Sequence, residues 1–333
     1  VLNYLKNDPD FGVRLSATNC IASMCTNLSP ELHNFHHAPV VSTLLLSLDE
    51  NVNASSELRV QTCGGLISFV QLCPVDILQQ YSDAIMGRLV QSTRGWGRGR
   101  GEGEIEVVQG AVTAIGTMAA TLKLNFDRYY TPIVTLLQAQ FGEEGLLEDG
   151  LVLLKCKMLE SISTIFLAVG KDIFGNDGIA FLRMIATIDL NSLDDNIMKT
   201  YLLQAWARMA KAVEGENIAP FLPLIIPCLV KSLQQKIEVG GEEEGEEGRG
   251  EEQEEELESS QIKQRDGSIV NVRTAALEDL LSAIHTVLLL SQTLRGHFYH
   301  YIHQVLTAVG PLVKSVHDDV KVYALSTLQF FVL

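Results

Sequence analysis

Apolar residues recur along this chain at offsets of 0, 4, 8, 11 and 15, the spacing that lines up one face of a 3.6-residue-per-turn helix. The register first runs through Val13, Ala17, Ile21, Met24 and Leu28, and returns at Leu58, Thr62, Leu66, Phe69 and Cys73. Further copies are Val107, Ala111, Ile115, Met118 and Leu122, then Leu154, Met158, Ile162, Ile165 and Val169. Met198, Leu202, Trp206, Met209 and Val213 follow, then Val272, Ala276, Leu280, Ala283 and Val287, and last Val320, Ala324, Leu328 and Phe331. Thr62 is the one polar residue in the set. The pattern predicts seven helices, each with one buried stripe.

The copies begin 45, 49, 47, 44, 74 and 48 residues apart. HEAT and armadillo arrays repeat at roughly 40–47 residues, and removing about 27 residues from the long interval, which holds a Glu-rich run, restores the period. A second helical segment precedes most stripes, with an aromatic near its start: Phe35 before Val40 and Leu44, Tyr81 before Ile85, Tyr130 before Ile133, Phe221 before Ile225, Tyr301 before Val305. The unit is therefore a hairpin, helix A then helix B, and a lone hairpin buries too little to offset chain entropy, so hairpins must stack. The expected fold is all-α: residues 1–333 form a single HEAT-repeat α-solenoid, a right-handed superhelix of about seven antiparallel helix pairs. The first helix A is short, the last stripe is incomplete, and no polar capping repeat is present. These features predict an internal piece of a longer chain.

Charge adds a second regularity. The residue after the first stripe position is basic in six copies, Arg14, Arg59, Lys155, Lys199, Arg273 and Lys321, with Val108 the exception. Acids lie just upstream: Asp10, Asp49, Glu104, Asp149, Asp195, Asp266 and Asp319. This predicts a ladder of ion pairs along the stack. The net charge of −16 is concentrated: Glu238 to Glu258 holds twelve Glu and one Arg, or −11, which leaves −5 for the rest. Residues 238–268 are expected to form a disordered acidic insert within the sixth repeat. The Gly/Arg-rich stretch 94–103 is read as a loop insert, since its alternating glycines match neither a dinucleotide fingerprint nor a P-loop. An acidic surface favours basic partners, and no direct nucleic-acid binding is expected.

Catalytic chemistry finds no support. The six cysteines form no CxxC pair and read as reduced core residues of an intracellular protein. His297, His300 and His303 walk round a helix without a carboxylate, and His33, His36 and His37 sit at a helix start. No Ser–His–Asp or Cys–His arrangement has a supporting context. No cofactor, metal or enzyme activity is implied, and no apolar run reaches the ~20 residues of a membrane span.

Binding is expected opposite the stripe of helix B. The column at offset 6 reads Asn19, Gly64, Thr113, Glu160, Gln204, Glu278 and Ser326, and the column at offset 10 reads Ser23, Ser68, Thr117, Thr164, Arg208, Ser282 and Phe330. Small and polar side chains can hydrogen-bond an extended peptide while acids pair with Lys or Arg. Asn19, Thr113, Glu160, Gln204, Glu278 and the adjacent Asp279 are the candidate residues.

The chain resembles the karyopherin-β (importin-β) transport receptors, most closely the importin five, or karyopherin beta-three, branch. The resemblance rests on Val112-Thr-Ala-Ile-Gly-Thr-Met-Ala119, Phe126-Asp-Arg-Tyr-Tyr130, Lys157-Met-Leu-Glu-Ser-Ile-Ser163 and Leu167-Ala-Val-Gly-Lys171. It continues through Ala205-Trp-Ala-Arg-Met209, Phe221-Leu-Pro223, Ala276-Leu-Glu278 and His317-Asp-Asp-Val-Lys-Val322. It implies a carrier that shuttles between cytoplasm and nucleus and takes basic cargo, such as ribosomal proteins and histones, on its B helices. Release by Ran-GTP, bound mainly by repeats outside this stretch, and grooves between A helices for Phe-Gly nucleoporins are also implied. The nearly pure Glu-Gly insert and the Gly/Arg loop depart from the family pattern. A HEAT scaffold of another class, such as a phosphatase regulatory or assembly-chaperone subunit, is the alternative.

Overall fold

The computed structural model describes residues 1–50, 55–94, 101–142, 151–188, 196–234, 239–240, 259–263, 269–315 and 317–332. They fall into two compact units, Val1–Gly178 and Ile179–Leu333. In the first unit, α1 (Leu2–Asn7) pairs with α2 (Phe11–Asn27), and α3 (Glu31–Ser47) with α4 (Ser56–Leu72). Next come α5 (Val75–Thr93) with α6 (Glu102–Leu122), and α7 (Asp127–Phe141) with α8 (Val152–Val169), followed by the one-turn α9 (Lys171–Phe174). The unit boundary falls inside α10 (Asp177–Ala186). The second unit continues with α11 (Asn196–Val213), the short α12 (Gly215–Ile218), and α13 (Leu222–Leu233) packed on α14 (Thr274–Leu294). It ends with α15 (Ile302–Val309) and α16 (Asp318–Val332). The stripe helices α2, α4, α6 and α8 stack in sequence, as do α11, α14 and α16.

The stripes explain the stacking. From Leu58 through Val213 every stripe position is 4% exposed or less, polar Thr62 included. Thr62 escapes the usual cost of a buried hydroxyl by donating to the Leu58 carbonyl at 2.7 Å. The first copy is looser: Val13 and Leu28 are exposed, as is Phe35, expected to pack as the opening aromatic of α3 but 77% exposed. Helix starts follow side-chain chemistry. Asp10 caps α2 by accepting from the Val13 amide at 3.0 Å, and Ser55 caps α4. Glu102 and Glu104 occupy the positive first turn of α6. That turn corrects the Gly/Arg loop, since Gly101 caps α6 and residues 102–103 are helical, while 95–100 lie outside the described residues.

The sixth repeat also departs from expectation. β1 (Val239–Gly240), β2 (Ser259–Lys263) and β3 (Ile269–Arg273) form a small antiparallel sheet in the order β1-β3-β2. Val272 and Arg273 therefore lie in a strand, and α14 begins at Thr274. The disordered reading of 238–268 is corrected for residues 239–240 and 259–263; the remainder lies outside the described residues. The physical reason is a β-branched run, Ile269-Val270-Asn271-Val272, whose Val270 pairs with Ile262. Composition dominated by Glu masks this local preference.

One membrane expectation changes as well. Windows in 102–141 and 215–233 are apolar enough in composition to cross a bilayer. Their stripe residues, Ala111, Ile115 and Met118 or Ile225 and Leu229, are instead packed in the helical core.

The two helices of a hairpin also share a polar bond. His33 of α3 is fully buried, with Nε2 placed 2.9 Å from the Phe69 carbonyl oxygen at the C-terminal turn of α4. Burial holds its imidazole below the usual histidine value, against a weaker upward pull from that carbonyl. The unfolded chain therefore binds more protons between the two values. The resulting stability is fully present above the unfolded value of 6.5 and is lost as pH falls through the folded value. Urea unfolding at pH 7.5 and 5.5 should show a smaller pH difference for His33→Gln than for the parent. Equal differences would exclude this group as the cause.

Candidate binding face

Two troughs open on the face of helix B opposite the stripes, one in each unit. The first, about 530 Å³, crosses α4, α6 and α8 and is lined by Gln71, Thr113, Thr117, Thr121, Lys123, Glu160 and Thr164, among others. Its close helix spacing comes from small residues. Ser161 donates to the Val112 carbonyl across the α6–α8 contact at 2.8 Å, beside Gly116. Two hydroxyls of this trough have their protons committed to their own helix: Thr113 donates to Gln109 at 2.9 Å and Thr117 to Thr113 at 3.0 Å. Such bonds turn oxygen lone pairs outward. With the Glu160 carboxylate, which also receives Lys157 at 3.2 Å, the trough is rich in acceptors.

The second trough, about 560 Å³, crosses α11, α14 and α16 and is lined by Gln204, Arg208, Ser282, His285, Asp319 and Tyr323, with an apolar floor. Gln204 Nε2 donates to Ser282 Oγ at 2.7 Å, and Arg208 donates to Gln204 Oε1 at 3.4 Å. The His285 and Tyr323 rings lie 5.4 Å apart.

Of the candidates read from sequence, Thr113 and Glu160 meet in the first trough, and Gln204 lines the second. Asn19 is exposed on α2 and lines neither. Glu278 is exposed, whereas Asp279 accepts from Thr200 at 2.8 Å and faces a narrow cleft with Lys199. Sequence reasoning missed Gln71, Lys123, His285, Asp319 and Tyr323. The signal for part of this was available: Gln71 and His285 both stand at offset 13, the next step of the 6 and 10 columns.

The basic positions behave unequally. Arg59, 4% exposed, forms an ion pair with Glu104 of the next repeat, the expected rung. Elsewhere the cations find other partners. The Arg14 guanidinium lies 5.9 Å over Phe11, its Nε buried without a hydrogen-bond partner. Lys155 sits 4.9 Å over Phe141, and burial lowers its pKa. Lys321 pairs with Asp318 of its own helix at 2.9 Å, and Asp49 receives Arg88 at 2.8 Å. Lys199 is 9% exposed, and the Arg273, Asp149, Asp195 and Asp266 side chains lie outside those described.

A groove of similar size lies on the helix A side. Between α5 and α7, about 530 Å³ is lined by Met86, Val90, Pro132 and Ile133 with Asp83, Arg94 and Tyr129 at its edge. Tyr129 donates to Asp83, and Arg128 pairs with the same carboxylate at 3.1 Å. Among the described residues no group of three or more His, Cys, Asp or Glu is placed to hold a metal. Burial pushes the Cys25 thiol up to about 11 and the Cys63 and Cys73 thiols to about 12, so these are protonated packing groups. Cys20, expected in the core, is exposed.

This geometry has known relatives. Importin subunit beta-3 of Saccharomyces cerevisiae is 26% identical over 320 residues, 95% of this chain and 28% of that protein. A probable importin-5 homolog of Dictyostelium discoideum is 23% identical over 82% of this chain and 23% of its own length. The chain is thus similar to importins of this kind over nearly its whole length. The karyopherin fold is also what solved structures match. Crystal structures of Kap121p align over 99% of this chain and 30% of theirs, at 23% identity with a TM-score of 0.79 for the protein alone. The forms bound to Pho4p and to Nup53p give 0.79 and 0.77, each at 22% identity. The helical HEAT-repeat solenoid, with the small sheet in its sixth repeat, is thereby the fold of this chain, which spans under a third of the length of these karyopherins. No family sequence model matches the chain.

Proposed function

We propose that this chain is the cargo-carrying segment of a nuclear import receptor that shuttles between cytoplasm and nucleus. Homology to importins along 95% of the chain carries the reading. The acceptor-rich trough on α4, α6 and α8 gives it a physical basis, since lone pairs of Thr113 and Thr117 beside Glu160 suit the ammonium and amide donors of a basic cargo segment. Ribosomal proteins and histones have that chemistry. Kap121p has been solved with Pho4p, Ste12p and Nup53p, which supports protein cargo and a nucleoporin as partner classes here. The α5–α7 groove, with Met86, Val90, Pro132 and Ile133 in its lining, suits a phenylalanine side chain of a Phe-Gly nucleoporin. Release by Ran-GTP completes the cycle, mainly through repeats beyond this segment, and the role requires no catalysis and no cofactor.

Charge reversal tests it. Glu160→Lys with Glu278→Lys in the full receptor should weaken a lysine-rich cargo peptide roughly tenfold, two surface-type charge interactions being lost and replaced by repulsion. Fluorescence anisotropy reads the change. Unaltered affinity would remove the B-helix face as the basic-cargo site. Pulldown of cargo with and without Ran loaded with GTP tests release, and cargo held regardless of nucleotide would overturn the receptor cycle.

A further inference from the structure

The trough of the second unit differs in chemistry from that of the first. Where the first turns oxygen lone pairs outward, the second is lined by donors on three helices. Arg208 brings a guanidinium with five N–H groups from α11 to the lining, one of them bonded to Gln204 one turn earlier on the same helix. Ser282 Oγ accepts from Gln204, so its own hydroxyl proton is a donor. His285 and Tyr323, ring against ring, add an imidazole N–H and a phenol O–H on α14 and α16. The opposing charge is Asp319, on the α16 wall, its side chain 71% exposed and its carboxylate 3.9 Å from His317. We propose that this trough holds an oxyanion of the cargo, a glutamate or aspartate carboxylate or a phosphorylated side chain, against Arg208, Ser282 and Tyr323. Asp319 opposes that anion from across the trough and weakens it. The ligand of this trough is then acidic or phosphorylated, in contrast to the basic segment proposed for the first. The inference rests on the carrier reading only for the ligand being a cargo segment.

The two charged walls make the test directional, because an anion and a cation respond to them with opposite signs. The probes are fluorescein-labelled Gly-Ser-Gly-X-Gly-Ser-Gly peptides, with X glutamate, phosphoserine, alanine or lysine, titrated into the full receptor. Glutamate or phosphoserine should bind about fivefold more tightly than alanine, the upper range of a solvent-accessible charge pair. Arg208→Gln should erase that advantage, Arg208→Lys should keep part of it, and Asp319→Asn should enlarge it. A response confined to phosphoserine identifies phosphate as the anion, and a response to glutamate shows that a carboxylate suffices. Tighter binding of the lysine peptide than the glutamate peptide, or a glutamate advantage that survives Arg208→Gln, would overturn the proposal. The Glu160→Lys, Glu278→Lys receptor distinguishes the two readings. Absence of any effect of that pair on a separate lysine-rich peptide counts against basic-cargo binding, while the dependence on X reports on the Arg208 trough.

Discussion

Replacing Trp206 with alanine is expected to cost about 3–5 kcal/mol of folding stability, the range for removing a fully buried large aromatic. Trp206 is 0% exposed on α11, and its indole lies 5.2 Å from the Phe221 ring that precedes α13. The residue thus fastens one stripe helix to the next hairpin. Its one polar group makes the case informative, because Nε1 is buried without a hydrogen-bond partner. An orphaned buried donor costs about 1–3 kcal/mol. Trp206→Phe loses some packing but also removes that penalty, so it should stay within about 1.5 kcal/mol of the parent, the range for well-tolerated hydrophobic swaps. Urea denaturation followed by far-ultraviolet circular dichroism measures both. If phenylalanine proves as damaging as alanine, the indole N–H has a partner and its burial is not a cost.

The stripes were readable because each full copy samples one helical face at five positions, so chance agreement is small and burial enforces it. Leu58 to Val213 show this: one register, near-zero exposure throughout. Position within the stack decides the exceptions. Val13 and Leu28 flank the packed part of α2, whose partner α1 is only six residues long, and they are exposed. The strand at Ile269–Arg273 was hidden because Val272 and Ala276 also satisfy the helical offsets, and periodicity cannot separate two residues four apart on a helix from a strand end followed by a helix start. The site was half legible. Columns opposite the stripe follow from the same period, which is why Thr113, Glu160 and Gln204 line troughs. Asp319 and Tyr323 do not belong to those columns; they join a trough because α16 packs against α14, a tertiary fact that no single-helix projection contains.

Gly116 shows how close packing sets the width of the first trough. In an exposed helix interior, alanine is favoured over glycine by about 1 kcal/mol. Gly64 fits that case, exposed and with no atom within 4 Å of an added Cβ, so Gly64→Ala should stabilise by up to about 1 kcal/mol. Gly116 reverses the sign. An added Cβ there would lie 2.9 Å from Ser161 Oγ and 3.1 Å from Ser161 Cα, and a backbone atom of α8 cannot swing aside as a long side chain would. Overpacking of this kind costs about 1–3 kcal/mol, so Gly116→Ala should be destabilising despite its propensity gain. Gly116→Val should lose about 3 kcal/mol, because its methyls also push Ser161 off the Val112 carbonyl, a bond worth roughly 1 kcal/mol. The partner residue supplies the control. Ser161→Gly removes Oγ and Cβ but leaves Cα in place, so combined with Gly116→Ala it should recover part of the loss attributed to the clash, a coupling of roughly 1 kcal/mol by double-mutant cycle. Additive losses would mean that α6 and α8 approach each other less closely than this contact requires, and the acceptor-lined trough between them would then be wider than the one described.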